Sequence, residues 1–464
     1  MVEIAYHVKN QKYSKKITTC TSGIIVKQKE KLLLILDAPE LTLKEEKLFE
    51  NALEELIHSG LDLKGKGDVY FFLKNYCIEN LILLGKEQRE KILTLLEWEA
   101  LGESALTPLL KDPDFEEIVI NGPNKSIIVY HRIFGWLNTN VKFTTDEKIK
   151  TILNKMASKL GRQLSYSNPI LDTVLNDGSR LNASMNPIAF SGINATIRKF
   201  KENPLTPKNI IQTKTITSEA MSFLWLALQT SSSILVCGNT GSGKTTTLNS
   251  LFCFLPENER IVVVEETPEI VLPQEHKVKL NTSEHIGVGL EKLIENTFRM
   301  RPDRVIIGEI RTKDECRGFV NTMLAGQAKG SYATFHAESA KEALQRIHSL
   351  DIEKDSLSSI DLIVVQKRIQ KINSKGHRKE ERKVTEICEI DKEGKLVELY
   401  SINYSIGKLI AKNDSIRIKE KVMQTFSVTP SGYKKLLKNR KKSLDEINEA
   451  TDFKEFFKIA EGRL

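Results

Sequence analysis

The strongest chemical signal in the sequence lies in residues 231–252, SSSILVCGNTGSGKTTTLNSLF, where an apolar run leads into a glycine-rich loop and then into a helical pattern. The loop has the spacing G-x-x-x-x-G-K-T. Glycines let successive backbone N–H groups surround phosphate oxygens, and the N-terminus of the following helix adds partial positive charge. The pattern predicts a nucleoside triphosphate site formed by Gly238, Asn239, Thr240, Gly241, Ser242, Gly243, Lys244, Thr245 and Thr246.

Two acidic strand ends downstream could turn such a binding site into a hydrolytic one. Hydrolysis requires an acidic group that holds Mg²⁺, directly or through water, or that orients the attacking water. Glu309 follows an apolar strand pattern in RPDRVIIGEIR (301–311), and Glu265 and Glu266 follow another in RIVVVEETPEI (260–270). Because ligands bind at the carboxyl edge of parallel sheets, we expect these acids at the phosphate site.

The metal and phosphate contacts follow from the same motif. Lys244 is predicted to reach the β- and γ-phosphates, and the hydroxyl group of Thr245 is predicted to ligate Mg²⁺. Glu309 is the predicted second holder of Mg²⁺, through water.

His336 ends a further apolar strand pattern in residues 330–339, GSYATFHAES. Taken alone, it could be a packed core histidine, a metal ligand or a group that senses the charge of a ligand. Metal ligation loses support because His348, twelve residues on, lies on the next predicted helix rather than at ligand spacing. Beside a phosphate loop and two acidic strand ends, His336 is a candidate sensor of the γ-phosphate.

The elements that position these groups divide the chain into five predicted segments. Helical patterns alternate with short apolar strands from about residue 218 to 350, which predicts a parallel sheet with helices on its faces. A β-hairpin with the turn NSKGH (373–377) is predicted after it. The predicted segments are a mostly helical N-terminal domain (1–105), an α+β domain (106–203), a Pro- and Thr-rich linker (204–217), an α/β core (218–390) and a helical C-terminal extension (391–464).

Composition and charge limit the possible functions of the protein. The chain has 464 residues, which predicts two or three domains, and no apolar run approaches the ~18 residues needed to span a bilayer. The N-terminus has no pattern of a secretory signal, and the six cysteines are scattered without a C-x-x-C pair. These features are typical of a cytoplasmic protein with reduced thiols and without a zinc site.

The basic residues are unevenly distributed although the formal net charge is only +8. Residues 367–383 hold eight Lys and Arg against two Glu, and residues 434–442 hold six Lys and Arg with no acid. These segments are either solvated surfaces or positively charged surfaces that bind an acidic phospholipid or an acidic protein partner.

The motifs together resemble a known superfamily. GNTGSGKTTTLN, VVEETPE, RPDRVIIGEIR and GQAKGSYATFHAESA are similar to the Walker A, Asp, Walker B and His boxes of the ATPases of type II and type IV secretion and of type IV pilus assembly. The resemblance extends upstream through DPDFEEIVINGP, DGSRLNAS, TIRKF, NPLT and LWLALQ, so that it covers about residues 105–400. The residues of the His box are most similar to those of the archaeal branch of this superfamily.

The resemblance implies an α/β fold in which a RecA-like P-loop ATPase domain follows a PAS-like α+β domain and a helical N-terminal region. It also implies a homohexamer that uses ATP and Mg²⁺. Such proteins are cytoplasmic, associate peripherally with the inner face of the cell membrane and act on a polytopic membrane platform protein. Acidic phospholipid is a further candidate partner, and nucleic acid is not an expected one.

The resemblance further implies that arginines complete the catalytic site. Arg180 in DGSR and Arg198 in TIRKF match such positions, and Arg299 in FRMRPD is a third candidate. An arginine that stabilises the charge on a transferred phosphoryl group can accelerate the reaction by about 10³–10⁵-fold. Each could instead form a surface or interface salt bridge. Two departures are Glu266, where the family usually has Asp, and Glu295, where some relatives have a further arginine.

The sequence is therefore compatible with three functions. The first is a hexameric ATPase motor that drives assembly of type IV pilus-like filaments, or secretion of protein subunits, through a platform protein. The second is a nucleic-acid translocation motor, which DNA-stimulated, salt-sensitive turnover would favour; the sequence lacks the interleaved aromatic and basic residues that bind single strands. The third is a switch that binds ATP without hydrolysing it.

Overall fold

The computed structural model describes residues 6–8, 15–28, 31–158, 160–200, 203–283, 287–324, 326, 328–372, 378–448 and 451–462. The chain forms two compact units, Met1–Phe200 (unit 1) and Lys201–Leu464 (unit 2). Each unit has its own sheet and its own hydrophobic clusters.

The described part of unit 1 contains ten strands and five helices. The strands are β1 (Tyr6–Val8), β2 (Lys15–Cys20), β3 (Gly23–Gln28), β4 (Lys31–Leu36), β5 (Phe115–Asn121), β6 (Ser126–His131), β7 (Gly135–Phe143), β8 (Ile170–Val174), β9 (Arg180–Ser184) and β10 (Asn194–Arg198). The helices are α1 (Leu43–His58), α2 (Lys66–Glu79), α3 (Lys86–Ala100), α4 (Leu106–Lys111) and α5 (Asp146–Ser158).

The strands of unit 1 form one sheet in the order β2-β3-β4-β7-β6-β5-β10-β9-β8, and β1 also pairs with β7. Apart from the parallel β4–β7 pair, neighbouring strands run antiparallel. Strands β5 and β9 alternate exposed and buried residues, as expected for a sheet with one face packed on a core. The core contains buried residues from Ile25 to Ile197 and includes α1, α2 and α3.

Residues 1–105 and 106–203, predicted as separate domains, share this sheet and this core. The predicted helices α1 and α3 are present, but the helical description of 1–105 missed strands β1 to β4. Strand β4 carries the run KLLLIL and pairs with β7, which lies about one hundred residues later in the chain. Short apolar runs do not reveal such distant partners, so the sequence pattern could not join the two segments.

Unit 2 contains nine described strands: β11 (Ile234–Cys237), β12 (Ile261–Glu265), β13 (Lys277–Asn281), β14 (Arg304–Ile310), β15 (Gly330–Phe335), β16 (Leu362–Ile372), β17 (Arg378–Ile390), β18 (Leu396–Asn403) and β19 (Lys408–Ala411). Its described helices are α6 (Pro207–Gln212), α7 (Ser218–Leu228), α8 (Lys244–Leu251), α9 (Leu290–Thr297), α10 (Lys313–Leu324), α11 (Ala340–Ser349), α12 (Lys354–Leu357), α13 (Arg417–Phe426), α14 (Pro430–Glu446) and α15 (Phe453–Glu461).

The sheet of unit 2 has the strand order β13-β12-β14-β15-β11-β16-β17-β18-β19. The first six strands run parallel, which confirms the predicted parallel sheet, and the last three add antiparallel pairs. Both faces are buried: Ile261 and Val263 lie in one hydrophobic cluster, and Val262 and Val264 lie in the other. The carboxyl ends of β11, β12, β14 and β15 therefore share one edge of the sheet, where the motif residues lie.

Three segment predictions for unit 2 can be compared with the structure. The hairpin is confirmed as β16 and β17, although its predicted turn (373–377) lies outside the described residues. The predicted linker (204–217) contains α6, because Pro207 occupies the first helical position, where a missing N–H costs nothing, and Thr206 caps the helix. The predicted helical extension (391–464) begins with β18 and β19, and its helices pack in the same core as α7.

The most apolar helix, α7, is a core element of unit 2. All of its residues from Ala220 to Leu228 are buried, and Trp225 stacks on Phe254 with ring centroids 4.6 Å apart. Its eleven residues are too few to cross a bilayer. No helix in the described ranges combines the length and the apolar character that a membrane span needs.

Candidate active site

The phosphate loop connects β11 to α8 at the carboxyl edge of the unit 2 sheet. Gly243 caps α8 with a φ of 93°, a left-handed conformation that side chains disfavour. A Cβ on Gly238 would lie 2.2 Å from the carbonyl oxygen of Gln366 and 2.5 Å from Ser242 Oγ. The loop can therefore adopt this tight shape only with glycine at these positions.

The interior of the loop holds polar atoms that no described residue satisfies. Asn239 Oδ1 and Ser242 Oγ are buried and have no hydrogen-bond partner within the described ranges. A buried polar atom left in that state costs about 1–3 kcal/mol. Thr245 and Thr246, in the first turn of α8, are half-buried beside N–H groups that an α-helix leaves free at its start. The loop thus offers donors and acceptors to a ligand.

Lys244 lies folded against the loop. Its Nζ donates hydrogen bonds to the carbonyl oxygens of Gly238 and Asn239 at 3.0 and 3.3 Å, and lies 4.0 Å from Glu309 Oε1. Burial lowers the pKa of Lys244, and the charge of Glu309 opposes that shift. The lysine therefore links the phosphate loop to the acidic edge, by which we mean Glu265, Glu266 and Glu309.

Glu309 and His336 are in direct contact. His336 Nε2 lies 2.8 Å from Glu309 Oε1. Burial, together with the charge of Lys244, lowers the pKa of His336, so a neutral imidazole donates its Nε2–H to the carboxylate at neutral pH. Strands β14 and β15 meet here at an irregularity, where Thr334 Oγ1 donates to the carbonyl oxygen of Gly308 at 2.7 Å.

Arg311, which sequence reasoning did not single out, joins two of the acids. Its guanidinium donates to Glu309 Oε2 at 2.7 Å and to Glu266 Oε2 at 2.5 Å. Glu309 is thus surrounded by three cationic or polar groups, from Lys244, His336 and Arg311. The only sequence signal for this role is the position of Arg311, two residues after the Walker B acid.

The adjacent acids Glu265 and Glu266 occupy different environments. Glu265 is 2% exposed, and its Oε1 accepts the backbone N–H groups of Glu269 and Ile270 at 2.8 and 2.9 Å. Burial raises its pKa to about 7. A Cβ on Gly308 would lie 3.0 Å from Glu265 Cγ, so the glycine makes room for this side chain. Glu265 therefore anchors the segment after β12, and Glu266 faces Arg311.

Gln366 on β16 supports the phosphate loop and was also missed by sequence reasoning. Its Nε2 donates to the carbonyl oxygen of Ser242 at 2.8 Å, and its Oε1 accepts a hydrogen bond from Thr247 Oγ1 at 2.5 Å. A buried amide at the end of the apolar run IDLIVV was the available signal. Because it contacts the loop on both sides of Lys244, Gln366 orients the residues that hold phosphate.

The three candidate arginines lie in two places. Arg180 and Arg198 are directly opposite each other on β9 and β10 of unit 1, and both are exposed. Arg180 pairs with Asp172 at 2.8 Å. Arg299 lies in unit 2, exposed, just after the end of α9. The structure thus brings the first two together on one sheet face.

Comparison with known proteins identifies the family. A model of the type II/IV secretion system protein family matches residues 99–449, about three quarters of the chain. The chain belongs to this family. Type II/IV secretion system proteins of this kind are secretion ATPases, so the phosphate loop and the acidic edge occur in a family that uses nucleotide.

Relatives of this secretion family include an uncharacterized protein of Methanocaldococcus jannaschii, 34% identical over 307 residues, which are 65% of this chain and 55% of the relative. The type IV secretion system protein VirB11 of Bartonella quintana is 29% identical over 63% of this chain and 93% of its own length. The solved structure of the ATPase DotB of Legionella pneumophila is 17% identical, with a TM-score of 0.44, and covers 72% of this chain and 85% of that one. The chain spans about half the length of the archaeal relatives that it matches.

Within this family member, the predicted site residues fall into three groups. Lys244, Glu309 and His336 lie in direct contact or within 4.0 Å, at the phosphate loop. Arg311 bridges Glu266 to Glu309, whereas the buried side chain of Glu265 accepts the backbone N–H of Glu269. Of the predicted arginines, Arg180 and Arg198 lie opposite each other in unit 1, and Arg299 lies in unit 2.

Proposed function

We propose that this protein is an ATP hydrolase that drives secretion or the assembly of type IV pilus-like filaments. The observation that supports this most directly is the contact of Lys244, Glu309 and His336 beside a phosphate loop whose buried Asn239 Oδ1 and Ser242 Oγ have no partner among the described residues. Phosphoryl transfer depends mainly on positioning and on electrostatic stabilisation, and these side chains supply both. Glu309 orients the attacking water, and His336 monitors the γ-phosphate.

ATP with Mg²⁺ is the cofactor that the donor set fits. Mg²⁺ prefers hard oxygen ligands, and Thr245 Oγ1 and the Glu309 carboxylate are such groups at the mouth of the loop. Thr245 would hold the ion directly and Glu309 would hold it through water. When bound, Mg²⁺ would neutralise part of the phosphate charge. Lys244 would bind the phosphates. Glu266 and Glu265 would have supporting roles at the carboxyl edge of the sheet.

The arginine pair supports the proposal that unit 1 contributes to the site. Arg180 and Arg198 lie directly opposite each other on one exposed face of unit 1, where Asp172 pairs with Arg180. We infer that Arg180 and Arg198 receive phosphate charge during the reaction, with Arg299 as a third contributor. In this proposal residues 106–203 form a PAS-like α+β domain and residues 218–390 form a RecA-like ATPase core.

A homohexamer that works on a polytopic membrane platform protein is the proposed assembly, located in the cytoplasm at the inner face of the membrane. The two M. jannaschii relatives support placing the chain in the archaeal branch. Helix α14 supports a contact with acidic phospholipid, because its exposed residues Lys434, Lys435, Lys438, Lys441 and Lys442 concentrate positive charge.

The experiment that tests this function measures phosphate release by the full-length chain. Turnover is compared with and without Mg²⁺, with vesicles of acidic or neutral phospholipid, and in fractions separated by oligomeric state. We expect Mg²⁺-dependent hydrolysis that rises with hexamer formation and with acidic vesicles. Negligible hydrolysis by the assembled hexamer with Mg²⁺ and acidic lipid would refute the motor.

Two further measurements separate the two alternative functions from the motor. Turnover that DNA stimulates in a salt-sensitive manner would favour nucleic-acid translocation. A Glu309→Gln chain that binds ATP and retains full biological output would favour a switch that needs no hydrolysis. No specific observation in the structure favours either alternative over the motor.

A further inference from the structure

The β16–β17 hairpin extends past the sheet beside the phosphate loop. Strand β16 pairs with β11 only from Leu362 to Val365, whereas its pairing with β17 continues to Ile372. Where β11 ends and the loop begins, the next residue of β16, Gln366, contacts Ser242. The projecting part of the hairpin therefore forms a wall next to the residues that hold phosphate.

Two arginines of this wall face the loop. Arg368 and Arg382 are directly opposite each other in the antiparallel register. Arg368 follows Gln366 by two residues, so Arg368, Arg382 and Gln366 lie on the same face of the hairpin. Arg382 Nε donates to the carbonyl oxygen of Gly241 at 3.1 Å. A Cβ built on Gly241 would lie 3.6 Å from an Arg368 terminal nitrogen, so that guanidinium lies at the crest of the loop.

Among the described residues, one carboxylate, that of Glu380, lies within ion-pair distance of the two arginines on this face. Like charges directly across neighbouring strands destabilise a hairpin. Arg368 lies 3.7 Å from the carboxylate of Glu380, and both side chains are about half-exposed. Lys383, on the other face, is 5% exposed, donates to the carbonyl oxygen of Lys214 at 2.6 Å and lies 3.7 Å from Glu381.

We propose that Arg368 and Arg382 bind phosphate oxygens of the nucleotide held by the phosphate loop. This inference rests on the proposed function and extends it, because it makes the hairpin a second cationic wall of the nucleotide site. Guanidinium groups are suited to this role, since their fixed donors match two phosphate oxygens at once. The Gly241 contact through Nε orients Arg382 and leaves its terminal nitrogens available to the ligand.

The test measures the Kd of the full-length chain for fluorescent ATP, with Mg²⁺, at several salt concentrations. Arg368→Gln and Arg382→Gln should each raise Kd about tenfold, as expected for the loss of a charge-assisted hydrogen bond. Both should also weaken the dependence of Kd on salt, because a charge that faces the phosphates has been removed. Arg368→Lys should recover part of the affinity.

Two control variants separate local contact from general charge. Lys367→Gln removes the same charge from the opposite strand face and should leave Kd unchanged. Glu380→Gln removes the carboxylate that competes for Arg368 and should lower Kd by up to about fivefold, within the usual strength of an exposed ion pair. Circular dichroism of each variant establishes that it is folded.

The outcomes distinguish the inference from the function on which it rests. Wild-type affinity in both arginine variants, or an equal loss in Lys367→Gln, would overturn the inference and leave the proposed function intact. A weaker affinity with an unchanged salt dependence would also overturn it, since Arg382 would then only support Gly241. A wild-type chain that binds no ATP would refute the proposed function itself.

Discussion

The phosphate loop and the acidic edge lie on the same side of one sheet, but they satisfy their polar atoms differently. The loop keeps Asn239 Oδ1 and Ser242 Oγ buried without described partners. At the acidic edge, Glu309 contacts His336 and Arg311, and Glu265 accepts two backbone N–H groups. The loop is thus prepared for an outside ligand, whereas the acids are stabilised by the protein itself.

If the proposed function holds, this difference predicts that binding and hydrolysis depend on separable groups. Lys244 contacts both regions, through Gly238 and Glu309. In the proposed function, phosphates would draw the Lys244 ammonium away from Glu309, which would keep its contacts with His336 and Arg311. Changes in the loop should therefore abolish binding, and changes in the edge should slow turnover while binding persists.

The largest expected effect is on turnover in Glu309→Gln. We expect the rate of phosphate release to fall by about 10²–10⁴-fold, because the amide cannot orient water or accept a proton as the carboxylate does. The Kd for ATP should stay near that of wild type. Glu291→Gln, on an exposed position of α9, is the matched control and should retain full turnover. Equal losses of binding and turnover would contradict the separation.

Lys244→Ala should affect binding first. Loss of the ammonium removes the charge that contacts the β- and γ-phosphates, so we expect Kd for ATP to rise about 100-fold. Fluorescent nucleotide titration measures this change, with the exposed Lys292→Ala as the control. Normal ATP affinity in Lys244→Ala would show that the loop does not bind phosphate as proposed.

His336→Ala should lower turnover by about 10–100-fold, less than Glu309→Gln does, with ATP affinity retained. Because the pKa of His336 is lowered, the neutral form predominates at pH 7. Because the pKa of His336 lies below the ordinary histidine value, wild-type turnover should fall only at acidic pH, where protonation replaces the neutral donor by a charged one. The variant should lose that pH dependence. If His336→Ala only melts at a lower temperature and keeps its turnover, His336 is a packing residue.

The smallest expected effect, on stability rather than on activity, separates Glu265 from Glu266. The folded pKa of Glu265, about 7, is raised by burial, so the folded chain binds the proton more tightly than the unfolded chain. Its contribution to stability is full below about pH 4.5 and is lost as the pH rises through about 7, at about 1.4 kcal/mol per unit. Thermal midpoints from pH 4.5 to 8 should show this loss in wild type and in Glu266→Gln.

Glu265→Gln is the matched variant for this measurement. Its amide oxygen can still accept the N–H groups of Glu269 and Ile270, but it does not ionise. The variant should therefore be less sensitive to pH in this range and gain in midpoint relative to wild type above pH 7. An identical pH profile in Glu265→Gln and wild type would show that Glu265 ionises freely and is not the anchor that its contacts indicate.

Much of unit 2 could be predicted because its signals are local. The loop motif specifies a strand, a turn with left-handed glycines and a helix within about twenty residues, and the alternation after residue 218 specifies a parallel sheet. Unit 1 was predicted less well. Strands β1 to β4 have partners distant in the chain, and the prolines near residue 207 indicated a linker where Pro207 in fact begins a helix.

By itself, then, the sequence determined the phosphate loop, the two acidic strand ends, His336 and the parallel direction of the central strands. Each of these depends on neighbouring residues and on the rule that parallel strands present their carboxyl ends together. Only the tertiary structure decided which of two adjacent acids is buried, that Arg311 joins Glu266 to Glu309, and that Gln366 and the hairpin flank the loop. Those facts depend on contacts between segments up to 141 residues apart, which no local pattern encodes.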